Sequence, residues 1–135
     1  MLTTLKNKLS PNTARLGYFA VTLIALVYHA LILSGVVPYK YAWGGRLQSA
    51  EQMIQFESVS IALLLIFSAI VFAHWKLAEK VVVKRITTVL LYVLSVVFLL
   101  NTVGNLLAVS LLEAILFTPL TFLSALFLLR LALVD

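Results

Sequence analysis

Four long apolar runs, at roughly 16–37, 53–75, 86–108 and 113–133, fix what this chain can become. At a helical rise of about 1.5 Å per residue, each is long enough to cross about 30 Å of hydrocarbon. The charges within them fall near their ends. In hydrocarbon every backbone N–H and C=O needs an internal partner, so spans of this length are helices. A composition of 63% hydrophobic and 11% charged residues agrees, because so little polar surface cannot cover a water-soluble core. The sequence therefore predicts an all-α integral membrane bundle of four transmembrane helices, a single domain over residues 1–135, with no linker or repeat.

The segment before the first run, "MLTTLKNKLSPNTAR", has the basic flavour of a signal-peptide start. The run behind it is too long and lacks a small-x-small cleavage pattern, so the first span is expected to be retained. The absence of cysteine excludes disulfides, thiolate catalysis and cysteine-ligated metals. His29 and His74 lie in different runs, so no metal site is expected, and no cofactor is indicated.

Orientation follows from the cations. Lys6, Lys8 and Arg15, the group Lys76, Lys80, Lys84 and Arg85, and Arg130 fall on one side, whereas Lys40 and Arg46 fall on the other. Eight against two predicts both termini in the cytoplasm and a multi-pass protein of the inner membrane. The net charge of +5 is then topogenic, with some attraction to anionic lipid, and nucleic acid is not an expected partner. Tyr39, Tyr41 and Trp43 fall at the outer interface and Trp75 at the inner one, where amphipathic rings settle.

Polar groups within spans usually face a bundle interior or a wet cavity. Counting from the outer side, Glu57 lies about one turn inside span two, Asn105 and Asn101 about one and two turns inside span three, and His29 about two turns inside span one. Glu113 opens span four, and Thr118 and Thr121 follow. The inner half offers hydroxyls and small residues, which favours an outward-facing vestibule over a pore. Tyr18, Thr22, Ala25 and His29 recur at helical spacing, as do Glu57, Ser60, Leu64 and Ser68, and both stripes should face the bundle. Asn101 and Asn105 share a face with Gly104 between them, where a neighbouring helix could come close.

Each of these residues has a plainer role beside a functional one. The asparagines can be interhelical glue, His29 a packing residue, and Glu113 a helix N-terminal charge favoured by the dipole. A buried Glu57 needs a cation or several donors, and Arg46 and Lys40 are the outer cations at hand; pairing with Arg46 and a role in function both stay open. Pro119 lies past the first turn of span four, where a kink would free a carbonyl near Ile115.

The connection "VVPYKYAWGGRLQSAEQ" holds the densest polar and aromatic cluster. Its "WGGR" lacks the spacing of a Walker loop or a dinucleotide fingerprint, so Gly44 and Gly45 are read as turn residues with positive φ. Pro38 should stop span one, and Ser49 to Gln52 has the S-x-x-E/Q form that opens a helix.

The loop "VPYKYAWGGRL" and the segment "LLNTVGNLLAVSLLEAILFTPLTF" together resemble a group of small bacterial four-helix membrane proteins that pair a YAxGGR-like loop with an LN…E…P pattern. The likeness runs from about residue 26 onward and rests on Tyr41, Gly44, Gly45, Arg46, Asn101, Glu113 and Pro119. Ala114 and Leu116 stand where arginine and tryptophan are commoner in that group. The resemblance implies an architecture and a residue set, and no activity. A second likeness, to four-helix sterol isomerases and sigma-2-type receptors, is one of architecture alone.

Three functions remain open. The leading expectation is a non-enzymatic accessory or sensor protein whose outward-facing cavity binds a lipid, an amphiphile or a partner helix. Its candidate lining is His29, Tyr41, Trp43, Arg46, Glu57, Asn101, Asn105, Glu113 and Thr118. The alternatives are a lipid-modifying enzyme using Glu57 or His29 in acid–base chemistry, and a proton-coupled transporter working as a dimer. No G-x-S-x-G setting supports acyl-enzyme chemistry. Membrane lipid is the expected partner, with a homo-oligomer or a larger membrane complex left open.

Overall fold

The computed structural model describes residues 2–134 as an all-helical chain. A short helix α1 (Leu2–Lys8) precedes four long ones: α2 (Pro11–Leu33), α3 (Ala50–Lys76), α4 (Val81–Leu106) and α5 (Leu111–Ala132). The four long helices are long and apolar enough to cross a membrane. They pack in cyclic order, each against the helices on either side, with α4 and α5 in the most extensive contact. One end of the bundle carries the 34–49 connection and is called here the loop end. The opposite end carries α1 and the 77–80 turn and is called the basic end.

Sequence-level signals set the helix starts. Ser10 accepts the Thr13 N–H at 3.0 Å with Pro11 at the first helical position, so α2 begins five residues before the expected span. Ser49 Oγ accepts the Gln52 N–H at 3.2 Å, and Gln52 Oε1 reaches back to the Gln48 N–H at 3.1 Å. That is a capping box with its return bond one residue early. Ser110 accepts the Glu113 N–H at 3.4 Å and starts α5.

The first span does not run to residue 37. Gly35, at φ 78, turns the chain into the left-handed region, and its N–H bonds the Ile32 carbonyl while Val37 N–H bonds that of Leu31. This glycine stop ends α2 four residues before the expected boundary, and Pro38 instead precedes the 3-10 turn Tyr39–Tyr41. Helix α5 continues as one element through Pro119.

The predicted inward stripes are inward. Tyr18, Thr22 and Glu57 are buried, and Ala25, His29, Ser60, Leu64 and Ser68 are half-buried. The close helix approach expected at Gly104 is absent, since nothing lies within 4 Å of where its Cβ would be. Close approach occurs instead at Gly17, where a Cβ would meet the Phe127 ring at 2.5 Å, so this glycine lets α2 and α5 pack tightly at the basic end.

The apolar core divides in two. A larger cluster built on Ala14, Tyr18, Leu91, Phe98 and Leu128 fills the middle and the basic end. A smaller one built on Tyr28, Ile32, Ala42, Met53 and Phe117 fills the loop end.

Candidate functional site

Between the two clusters lies a partly open cavity of about 210 Å³. All four long helices line it, and the connection after α2 roofs it through Ala42 and Trp43. Of the candidate lining residues named from the sequence, His29, Trp43, Asn101, Asn105 and Glu113 line it, and Tyr41, Arg46, Glu57 and Thr118 do not. Apolar walls come from Ala25, Leu64, Phe98 and Phe117.

The central contact is between α2 and α3. His29 Nδ1 lies 2.5 Å from Glu57 Oε2, with the carboxylate fully buried and the imidazole 18% exposed. Glu57 therefore does not pair with Arg46, which is exposed in the loop. The sequence weighed two loop cations for this carboxylate and set His29 apart as a packing residue or relay. The structure joins them, because His29 on α2 and Glu57 on α3 arrive at the same level of the bundle. Glu57 Oε1 makes no hydrogen bond among the described residues, and Glu57 sits behind His29 rather than on the cavity wall.

The "WGG" turn holds a carboxylate, and that carboxylate belongs to the chain itself. Trp43, Gly44 and Gly45 are consecutive residues at φ 55, 69 and 74. The Gly45 N–H bonds the Ala42 carbonyl within the turn, which leaves the Gly44 N–H to meet an acceptor from outside it. The Gly44 N–H donates to Glu113 Oε2 at 2.6 Å. The Val109 N–H donates to the Gly44 carbonyl at 3.3 Å, so the two loops of this end are stitched together. A Cβ on Gly44 would lie 3.9 Å from the Ala108 backbone, and one on Gly45 3.4 Å from the Lys40 carbonyl. Glu113 is thus both an N-terminal helix charge and the anchor of the roof, with its side chain taken by Gly44 rather than by its own helix start.

The remaining candidates separate. Asn105 Nδ2 donates to Thr121 Oγ1 at 3.3 Å, and Thr102 Oγ1 donates to the same hydroxyl at 3.0 Å, so these groups join α4 to α5. Asn101 lines the cavity yet is exposed, as is Trp43 of the roof. Thr118 and Tyr41 do not line the cavity. Thr118 Oγ1 is buried with no hydrogen-bond partner among the described residues. Tyr41 contributes its carbonyl, which accepts from the Tyr28 hydroxyl at 2.6 Å. Pro119 lies on the exposed surface of α5.

Two residues were missed from sequence. Tyr28 ties α2 to the loop and packs against the Phe117 ring at a 60° tilt and a centroid distance of 4.5 Å. Its position beside His29 was the available signal. Ser110 opens α5 in the form S-x-x-E, a second capping box hidden in "AVSLLE".

Among the described residues, no group of three or more acidic or imidazole side chains could hold a metal ion. Hydrogen bonds join α2 to α3, the roof to α5, and α4 to α5 around this cavity. Between α3 and α4 the hydrogen bond present, His74 Nδ1 with Thr87 Oγ1 at 2.9 Å, lies at the basic end. Comparison of the chain with models of known families, with curated proteins and with solved structures finds no match.

Proposed function

We propose that this protein is a non-enzymatic binding protein of the inner membrane, with both termini cytoplasmic, whose cavity takes a lipid or another amphiphile. The observation that carries the reading is the cavity of about 210 Å³, walled by all four long helices, roofed by the Trp43 turn and rimmed by the exposed amide of Asn101. Apolar walls with a few convergent polar groups suit an amphiphile, and Asn101 offers both a donor and an acceptor to its polar end. Asn101 lies about one and a half turns from the end of α4, at membrane depth rather than in water. The cation asymmetry, eight against two, supports the orientation. The hydrogen bond from the Gly44 N–H to Glu113 supports reading the loop and the glutamate as one motif, in keeping with the resemblance to small bacterial four-helix membrane proteins.

Native mass spectrometry with phosphatidylethanolamine, phosphatidylglycerol and a lysophospholipid tests this reading. Ala25→Phe, which fills the cavity, and Asn101→Ala, which removes the rim amide, should each remove one bound lipid. If these variants and Glu57→Gln leave every bound lipid in place, the reading fails.

One contact favours a second reading, a lipid-modifying enzyme. His29 spends Nδ1 on Glu57, so its Nε2 is the ring nitrogen left for proton transfer in the cavity, and a buried carboxylate behind an imidazole fixes its tautomer. Loss of lipid turnover in His29→Asn with lipid binding retained would favour the enzyme; no turnover by the unaltered protein would exclude it.

A further inference from the structure

A second cavity, of about 170 Å³, lies at the basic end, remote from the site above. We propose that it binds a phosphate group, and that the phosphate belongs to the headgroup of an anionic phospholipid in the adjoining leaflet.

Its lining includes Arg15 of α2, Val71, His74 and Trp75 of α3, and Lys84 of α4. No acidic side chain among the described residues lines it. Among the described residues neither Arg15 nor Lys84 makes an ion pair, so two cations from two helices line one space with no described carboxylate in it. Convergent cations without carboxylates repel each other unless an anion lies between them.

The Arg15 guanidinium is already positioned. It lies 3.9 Å from the centroid of the Trp75 ring, and one N–H bonds the Asn12 side chain. The ring and Asn12 restrain the guanidinium, and the remaining N–H donors of the fork suit two oxygens of one phosphate. Lys84 is half-buried in the first turn of α4 and adds a point charge. The lining also has an apolar part, with Val71 and Leu131, that suits the glycerol and first methylenes of a lipid.

Depth also points to a lipid. Trp75 is one residue from the end of α3, Lys84 one turn into α4 and Arg15 one turn into α2, so all three lie at the level where headgroups sit. Basic pockets between spanning helices at this level suit anionic headgroups.

Tryptophan emission tests the proposal. The chain has two tryptophans, so Trp43→Phe leaves Trp75 as the reporter in the purified full-length protein in neutral detergent. Phosphatidylglycerol should change its emission saturably, and phosphatidylcholine should act at least about tenfold more weakly. Arg15→Gln with Lys84→Gln should raise the half-saturation point by about tenfold or more, with added salt acting the same way. Lys80→Gln with Arg85→Gln, outside the cavity, should leave it nearly unchanged. Inorganic phosphate separates the sources: no response places the phosphate on a lipid, whereas millimolar saturation that competes with phosphatidylglycerol makes this a site for free phosphate and overturns the lipid assignment. Equal titration by phosphatidylcholine, equal weakening by the control pair, or no weakening by the cavity pair overturns the proposal. If the cavity pair fails to fold, Lys84→Gln alone carries the comparison.

Discussion

His29 and Glu57, twenty-eight positions apart in the chain, meet at 2.5 Å, and the carboxylate of that pair has no exposure to solvent. Each side chain satisfies a polar atom that neither helix could satisfy alone. Removing one partner leaves the other buried without its bond, which costs about 1–3 kcal/mol, whereas removing both with shape kept is close to neutral. His29→Leu and Glu57→Met should each lower the unfolding temperature in detergent, and the double variant should recover most of the loss. Strict additivity of the two losses would contradict a shared contact.

The roof is held by Glu113. A hydrogen bond to a carboxylate is worth about 1.5–3 kcal/mol, so Glu113→Ala should speed hydrogen exchange of the Gly44 amide by roughly ten- to a hundredfold. Exchange at Gly35, which turns the chain elsewhere in the same loop, should change far less.

Gly44 and Gly45 differ from Gly35 in what surrounds them. All three have positive φ, so alanine at any of them costs about 1 kcal/mol in backbone strain. Gly35 faces open space, while Gly45 faces the Lys40 carbonyl and the Val109 side chain. Valine should therefore cost more than alanine at Gly45, beyond the difference seen at Gly35, measured by thermal unfolding.

Arg130 is buried at 7% exposure, and its Nε donates to the Leu9 carbonyl at 2.6 Å. Arg130→Ala should cost about 1.5–3 kcal/mol and release α1, read as faster proteolysis within residues 2–9. Arg130→Lys keeps the charge but not the fork and should recover part of the loss.

At Gly17 the Phe127 ring occupies the space a side chain would need. Gly17→Leu should cost about 1–3 kcal/mol by overpacking. In a Phe127→Ala background the same change should cost less, because the displaced ring is gone; an unchanged cost would show that the α2–α5 approach does not depend on this pair.

The four apolar runs, the inward stripes on α2 and α3 and the helix starts at Ser49 were legible because they are local: hydropathy, a 3.6-residue period and a cap need no knowledge of partners. The α2 stop was legible at Gly35 and was misassigned to Pro38, since a left-handed glycine ends a helix before a proline has to. Gly104 was assigned the tight helix contact that belongs to Gly17, because a glycine beside two asparagines looks like an interface whether or not a helix lies opposite.

The sequence by itself determined that this chain is a bundle of helices long and apolar enough for a membrane, which polar residues lie in the loop half, and which faces of α2 and α3 turn inward. Tertiary structure decided the partners: Glu57 with His29 rather than Arg46, the WGG turn with Glu113, Tyr28 with the Tyr41 carbonyl, and Arg15 over Trp75. The reason is physical. Hydropathy and periodicity act along one helix, but a buried polar atom takes whichever partner the packing of helices brings within about 3 Å, and that distance is a property of the assembled bundle.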